Sequence, residues 1–335
     1  MSGNPPQTAP GPLLTGAAPG PPEQLRPAVE NFPTLACPPA PSGQTRPRLG
    51  PDCWFLSGPT GAGKSALAIP LARRLGAEIV SVDSMAVYRG LDVGTAKPSA
   101  ADRARVPHHG LDLVSPADTF TVAAWLTVAA TAVADCRARG RAVLFVGGTP
   151  LYLRALRDGL ALLPPADVEV RAELAAAAAA DGPEALHARL ASLDPTAAAR
   201  IHPRDTRRLV RALEVATLTG RPLSAAHTPE PDPVFESRLM ILDVSRATLA
   251  ARIDRRVEAM FTGGLVEETA AALTGPGGIG PTAGQAAGYT EAIDLIAGRI
   301  DRAEAVRRTQ VRTRQLAKRQ RTWLRSFKNA TWIGA

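Results

Sequence analysis

Short apolar runs without polar alternation recur along this chain. The clearest are Cys53-Trp54-Phe55-Leu56-Ser57, Glu78-Ile79-Val80-Ser81-Val82, Ala142-Val143-Leu144-Phe145-Val146 and Leu239-Met240-Ile241-Leu242-Asp243-Val244. Runs of this length read as strands covered on both faces, the pattern of a parallel sheet. Leu111-Asp112-Leu113-Val114 is expected as an edge strand. Helices are predicted over 64–75, stopped by Gly76, and over 120–140, capped by Thr119 or Thr121. Segment 85–98 reads as irregular. From 165 to 233 no strand interrupts the helical pattern. Helices are expected there over 168–180, 183–193, 197–201 and 205–218, the last capped by Asp205 and stopped by Gly220. Further helices are predicted over 246–262, 264–274, 289–298 and 301–327, with a glycine-rich loop at 275–288. The alternation predicts an α/β fold: a parallel sheet flanked by helices, with an all-helical insertion and ligands at the strand C-termini. The expected division is 1–50, 51–164, 165–233 and 234–335. The first part is rich in Pro and Gly and is expected to be disordered.

Composition narrows the picture. The chain has 335 residues, 45% of them hydrophobic, enough for a large core. Its net charge of +8 suggests a polyanionic partner, with nucleic acid foremost. Cys37, Cys53 and Cys136 are scattered, form no C-x-x-C pair and make no evident ligand set with the five histidines. Reduced thiols in a cytoplasmic protein without structural zinc are expected. No apolar run approaches the roughly 20 residues that span a membrane.

Candidate chemistry gathers at strand ends. Between the first strand and first helix lies Gly58-Pro59-Thr60-Gly61-Ala62-Gly63-Lys64-Ser65, which fits the phosphate-binding loop, or P-loop, in full. Its glycines let backbone N–H groups turn toward phosphate oxygens, and the following helix adds its N-terminal dipole. Lys64 supplies an ammonium, and the Ser65 hydroxyl can ligate Mg²⁺. Asp83 follows the second strand, placed to act as a base or to hold a metal through water; an ordinary turn Asp is the alternative. Thr149 follows Gly147-Gly148 at the end of another strand. That strand lacks the terminal acid of a switch or motor NTPase, which weakens ATP hydrolysis. The helix at 301–327 is strongly basic, and Leu316, Trp323, Leu324 and Phe327 are expected to share its apolar face. A second basic cluster is Arg200, Arg204, Arg207, Arg208 and Arg211. The residues alone leave a small-molecule kinase and an RNA-binding NTPase open beside a transferase.

Longer stretches resemble one family, the bacterial tRNA dimethylallyltransferases. They are the P-loop, Ser81-Val82-Asp83-Ser84-Met85, Val87 through Gly94-Thr95-Ala96-Lys97-Pro98, Val146-Gly147-Gly148-Thr149, Arg200-Ile201-His202-Pro203, Arg208-Leu209-Val210-Arg211-Ala212-Leu213-Glu214-Val215, Gln285-Ala286-Ala287-Gly288-Tyr289 and Arg314-Gln315-Leu316-Ala317-Lys318-Arg319-Gln320. The resemblance runs in order from about residue 53 to 327, and Asp83-Ser84 followed by Gly94 to Pro98 is its most specific part. It implies transfer of a dimethylallyl group from dimethylallyl diphosphate to N6 of adenosine 37 in tRNAs reading codons that begin with U. The products are N6-isopentenyladenosine and diphosphate. It implies that Asp83, Lys64 and Thr149 serve catalysis. Gly58, Pro59, Thr60, Gly61, Ala62, Gly63, Lys64, Ser65 and Arg256 would hold the diphosphate, in a loop of ATP-binding type, with Mg²⁺ on Ser65. Contacts to the tRNA anticodon stem-loop are implied for Asp83, Ser84, Met85, Ala86, Thr149, Arg171, Arg207, Arg208, Leu209, Val210 and Arg211. They are also implied for Gln285, Ala286, Ala287, Gly288, Tyr289, Thr290, Lys318, Arg319 and Gln320. A monomer is expected. The chain departs from the family pattern at Gly61-Ala62, Ser65, Arg204, Arg207 and Thr290, and Ser65 keeps the hydroxyl.

Overall fold

The computed structural model describes residues 46–161, 163–226 and 230–334. The expected disorder of the first fifty residues falls almost wholly outside them. Six strands form one sheet: β1 (Cys53–Ser57), β2 (Ala77–Val82), β3 (His108–His109), β4 (Ala142–Gly147), β5 (Leu239–Asp243) and β6 (Thr331–Gly334). Their order is β3-β2-β4-β1-β5-β6, and every pair is parallel. The apolar runs became the inner strands because helices cover both faces. Before the insertion come α1 (Lys64–Leu75), α2 (Ala100–Arg105), α3 (Val122–Ala138) and α4 (Pro150–Asp158). Thr121 caps α3 by accepting from the Ala124 N–H, which settles the two candidates. Gly76 ends α1 in the left-handed conformation.

The expected edge strand at 111–114 is displaced. His108–His109 pairs with Ile79 and Val80 instead, and Val114 makes only an isolated bridge to Tyr88. The cause is local. Gly110 (φ 78°) and Asp112 (φ 55°) turn the chain out of the extended region directly after β3. Asp112 is held there by Lys97 and Arg103, each at 2.6 Å.

The insertion is α5 (Val168–Asp181), α6 (Pro183–Leu193), α7 (Pro195–Ala198) and α8 (Thr206–Thr219). These helices pack Leu174, Leu186, Leu190, Leu209 and Leu213 into a small core of their own. Asp205 caps α8 and Gly220 ends it, as expected. The chain continues through α9 (Pro233–Ser237), α10 (Arg246–Thr262), α11 (Leu265–Thr274), α12 (Tyr289–Ile296) and α13 (Arg302–Leu324). Four of the seven phenylalanines form one connected stack that ties the chain's end to the sheet. Phe55 lies 5.1 Å from Phe145 and 4.5 Å from Phe235, which in turn lies 5.5 Å from Phe327. Among the described residues, no helix is long and apolar enough to cross a membrane.

One expectation about ligand groups is corrected. His109 and Cys136, far apart in sequence, meet at the buried Glu78, whose carboxylate takes the His109 ring at 2.7 Å. Arg139 grips both oxygens of that carboxylate. Arg139 first, then His109, holds Glu78 down at about 2, against burial. Burial and the neighbouring carboxylate push the Cys136 thiol up to about 12.

Glu78 therefore stabilises the fold above its ordinary pKa of 4.5, and that contribution is lost as pH falls through about 2. Glu78→Gln is expected to lower the unfolding free energy at neutral pH by about 1–3 kcal/mol. The gap to the parent protein should narrow on acidification below 4.5, as read by urea unfolding at pH 7, 5 and 3. A gap that does not change with pH would contradict the assignment.

Candidate active site

The C-terminal ends of β1, β2 and β4 lie side by side in the sheet, so the loops after them meet. After β1 runs the P-loop. Gly58, Gly61 and Gly63 all have positive φ (153°, 81° and 97°), and Gly63 precedes α1 directly. A Cβ on Gly61 would sit 3.0 Å from Ile253 of α10, so the glycine also permits close packing behind the loop. The Lys64 ammonium donates to the carbonyls of Gly58 (2.8 Å) and Pro59 (3.0 Å). Burial lowers the Lys64 pKa to about 8, although the Asp83 charge opposes the shift.

After β2 comes Asp83, whose Oδ1 accepts from the Met85 N–H at 2.9 Å. After β4 comes Gly147-Gly148-Thr149. The Thr149 hydroxyl accepts from the Ser84 N–H at 3.1 Å, so the β4 end braces the turn that carries Asp83. Burial also lowers the Arg256 pKa, again opposed by Asp83. Asp83 is thus the anion beside two half-buried cations. Two cavities meet at it. A smaller one of about 190 Å³ contains Lys64 and Ser65. A larger one of about 380 Å³ contains Thr60, Thr149, Arg256 and the α13 side chains Arg312, Arg319 and Gln320. Asp83 and Thr95 line both.

The α10 arginines divide as follows. Arg256 lines the larger cavity and points Nη1 at the Thr60 hydroxyl, 3.5 Å away. Arg252 also reaches the loop, donating to the Ala62 carbonyl at 3.2 Å. Ser84, Met85, Gln285, Ala286 and Ala287 line the larger cavity, and Ala86 lines the smaller one. Gly288 (φ 101°) turns the chain into α12, and Thr290 donates to the Gly284 carbonyl at 2.6 Å. Lys318 does not line the larger cavity; it stands between a groove that separates α10 from α13 and a cavity around Trp323.

In the insertion, Arg207 and Arg208 are exposed, and Val210 packs partly against the helical core. Arg171 and Arg211 both bind the fully buried Glu214. Burial would raise the Glu214 pKa, but the two arginines together hold it below its ordinary value. Two expected RNA contacts need correction. The side chains of Leu209 and Tyr289 are fully buried, so they support the surface and cannot touch RNA themselves.

Sequence reasoning missed Glu268. Its Oε2 accepts from the Asp92 and Val93 N–H groups at 2.8 Å each; Oε1 accepts from Gly94 N–H at 3.4 Å and the Tyr289 hydroxyl at 2.6 Å. A Cβ on Gly94 would lie 2.4 Å from the Tyr289 ring. Glu268 therefore clamps the 92–95 segment to the start of α12, two walls of the larger cavity. In sequence it is one of two adjacent acids in the first turn of α11, with nothing nearby to mark it.

The chain is similar to known proteins. The family described as IPP transferase matches residues 86–327, and that described as isopentenyl transferase matches residues 51–106. A tRNA dimethylallyltransferase of Anaeromyxobacter dehalogenans is 51% identical over 281 residues, covering 83% of this chain and 93% of the relative. The chain belongs to the tRNA dimethylallyltransferase family. This is a family of prenyl-transferring enzymes. A member from Geobacter metallireducens is 47% identical over 282 residues, covering 83% of this chain and 91% of its own length. A solved tRNA isopentenylpyrophosphate transferase from Bacillus halodurans superposes with a TM-score of 0.60 at 38% identity, covering 84% of this chain and 89% of that one. A eukaryotic dimethylallyltransferase solved while acting on tRNA gives 0.68 at 25% identity, covering 84% and 73%.

Removing the cavity clamp should be measurable. Glu268→Ala is expected to destabilise the protein by about 1.5–3 kcal/mol, and Tyr289→Phe, which deletes one of its bonds, by about 1 kcal/mol. Chemical denaturation of both variants tests this. The reverse order would show that the hydroxyl, not the carboxylate, carries the tie.

Proposed function

We propose that this chain transfers a dimethylallyl group from dimethylallyl diphosphate to N6 of adenosine 37 in the anticodon loop of tRNAs reading codons that begin with U. The observation that carries the reading is the position of Asp83, in the wall shared by two cavities and beside two half-buried cations. The relatives' names support the chemical class, and the basic α13 suits an RNA partner.

The geometry supports a role for each residue. The P-loop N–H groups, Lys64 and Arg256 hold the diphosphate and stabilise the charge it gains on leaving. The adenosine, taken out of its stack, enters the larger cavity. Its N6 attacks the allylic carbon; the new C–N bond forms as the C–O bond to diphosphate breaks. Asp83 accepts the proton released from N6. Thr149 keeps Asp83 in place through the Ser84 N–H. Ser84, Met85, Gln285, Ala286, Ala287, Arg319 and Gln320 form the RNA side of the cavity, and Arg207 and Arg208 offer phosphate contacts from the insertion. The Ser65 hydroxyl and the Asp83 carboxylate share the smaller cavity with Lys64, an all-oxygen donor set that fits Mg²⁺ with retained waters. A metal there supplies further neutralisation of the diphosphate.

The direct test incubates the protein with radiolabelled dimethylallyl diphosphate, Mg²⁺ and unmodified tRNA with adenosines at positions 36–38. Label at adenosine 37 is expected; no label, with ATP consumed on a small acceptor, would overturn the reading in favour of a kinase. Asp83→Asn should lower kcat by about 10²–10⁴ while leaving the Kd for tRNA nearly unchanged. For the free enzyme, kcat/KM for dimethylallyl diphosphate should fall as pH rises through about 8, where the Lys64 ammonium is lost. Lys64→Arg should flatten that limb; an unaltered profile would remove Lys64 from the diphosphate site.

A further inference from the structure

The apolar face expected on α13 is split. Leu324 and Phe327 join the main core, whereas Leu316 and Trp323 do not belong to it. Leu316 lines the larger cavity. Trp323 lines an adjoining cavity of about 360 Å³ with Gln315, Lys318, Arg319 and Thr322. Arg319 lines both, so the two open side by side. The Trp323 ring is held from a second element. The Arg154 guanidinium of α4 lies 5.9 Å from its centroid, anchored by Asp158 at 3.2 Å, and Pro150 at the start of α4 lines the larger cavity. A large indole left outside the core therefore stands at the rim of the cavity among Arg154, Lys318 and Arg319. An aromatic face flanked by cations is what single-stranded RNA uses: a base stacks, and the cations take its phosphates.

We propose that Trp323 is a stacking platform for a nucleobase of the substrate RNA, adjacent to the adenosine that enters the larger cavity. This rests on the RNA-substrate reading above and adds a binding subsite to it. The indole takes the base, Lys318 and Arg319 take the flanking phosphates, and Arg154 fixes the ring. Cations within reach of a stacked base suit a nucleotide in a chain better than an apolar peptide.

The test uses the full-length protein and an unmodified anticodon stem-loop hairpin carrying 2-aminopurine on either side of the target adenosine. In the parent protein, 2-aminopurine on one side is expected to be quenched on binding. Trp323→Leu, which keeps apolar bulk but not the stacking surface, should weaken hairpin binding by about 10- to 100-fold, and Trp323→Phe should restore most of it. The KM for RNA should rise in parallel. The kcat at saturating RNA and the KM for dimethylallyl diphosphate should stay unchanged, a split that general loss of structure would not produce. Unaltered binding by Trp323→Leu, or no quenching on either side in the parent protein, overturns the proposal; the second holds even if the variant fails to fold. Equal quenching by a free nucleotide also overturns it. A parent protein that neither binds nor prenylates RNA would instead sink the underlying RNA reading.

Discussion

The side-chain amide of Gln320 joins three parts of the molecule that sequence keeps far apart. Its oxygen accepts from the Thr60 N–H at 2.8 Å, and its nitrogen donates to the Gly148 carbonyl at 2.8 Å. One amide thus ties the P-loop, the end of β4 and the C-terminal helix together. The contact is possible only because residue 148 is glycine: a Cβ there would stand 2.8 Å from the Gly58 carbonyl and 2.9 Å from the Gln320 amide. Buried amides are costly to leave unpaired, so this bond fixes the register of α13 against the sheet. Once that register is set, Arg312, Thr313, Leu316 and Arg319 can only face the larger cavity. The RNA side of the site is therefore positioned from the diphosphate side.

The same junction sets the electrostatics. Lys64 and Arg256 are pushed toward their neutral forms by burial, and Asp83 is the anion that resists this. An arriving diphosphate brings more negative charge to the same cations, which favours their protonated forms. On the proposed mechanism, Asp83 then shares its cations with the leaving group, which frees the carboxylate to take a proton. The loop and the carboxylate form one electrostatic unit, and neither cavity would have the same chemistry without the other.

The sheet centre was legible because β1, β2, β4 and β5 are covered on both faces and carry uninterrupted apolar runs. Caps such as Thr121 and Asp205, and stops such as Gly76 and Gly220, announced helix ends directly. The edges were not legible. A two-residue strand, His108–His109, has no periodicity to read, and the short helix α4 was missed. In the site, the P-loop and Asp83 could be read because local order alone puts them at strand ends. Glu268 could not, since the backbone it holds, Asp92 to Gly94, lies more than 170 residues away. Trp323 was misplaced for a geometric reason. It lies seven residues from Leu316 and shares its line on the helix, whereas Leu324 is turned a further 100° or so. That turn decides between core and cavity rim.

Net charge, finally, is a poor guide to where RNA can bind, because the fold consumes much of it. On α13, Arg307 and Arg308 pair with Glu304, Arg312 with Glu291, Arg314 with Asp254 and Arg321 with Asp243. In the insertion, Arg171 and Arg211 are committed to Glu214. The exposed pairs among these add little stability, but every pair removes a cation from the set that can meet a phosphate at no competing cost. Among the described residues, Arg302, Lys318 and Arg319 of α13 have no acidic partner; Arg302 is taken up by the Phe261 carbonyl, and the other two stand beside Trp323. The charge left over for an external anion is thus concentrated at the one place on the helix where an aromatic ring has also been kept out of the core. Phosphate attraction and base stacking are offered together there, which is the condition for holding a strand in register rather than merely attracting it.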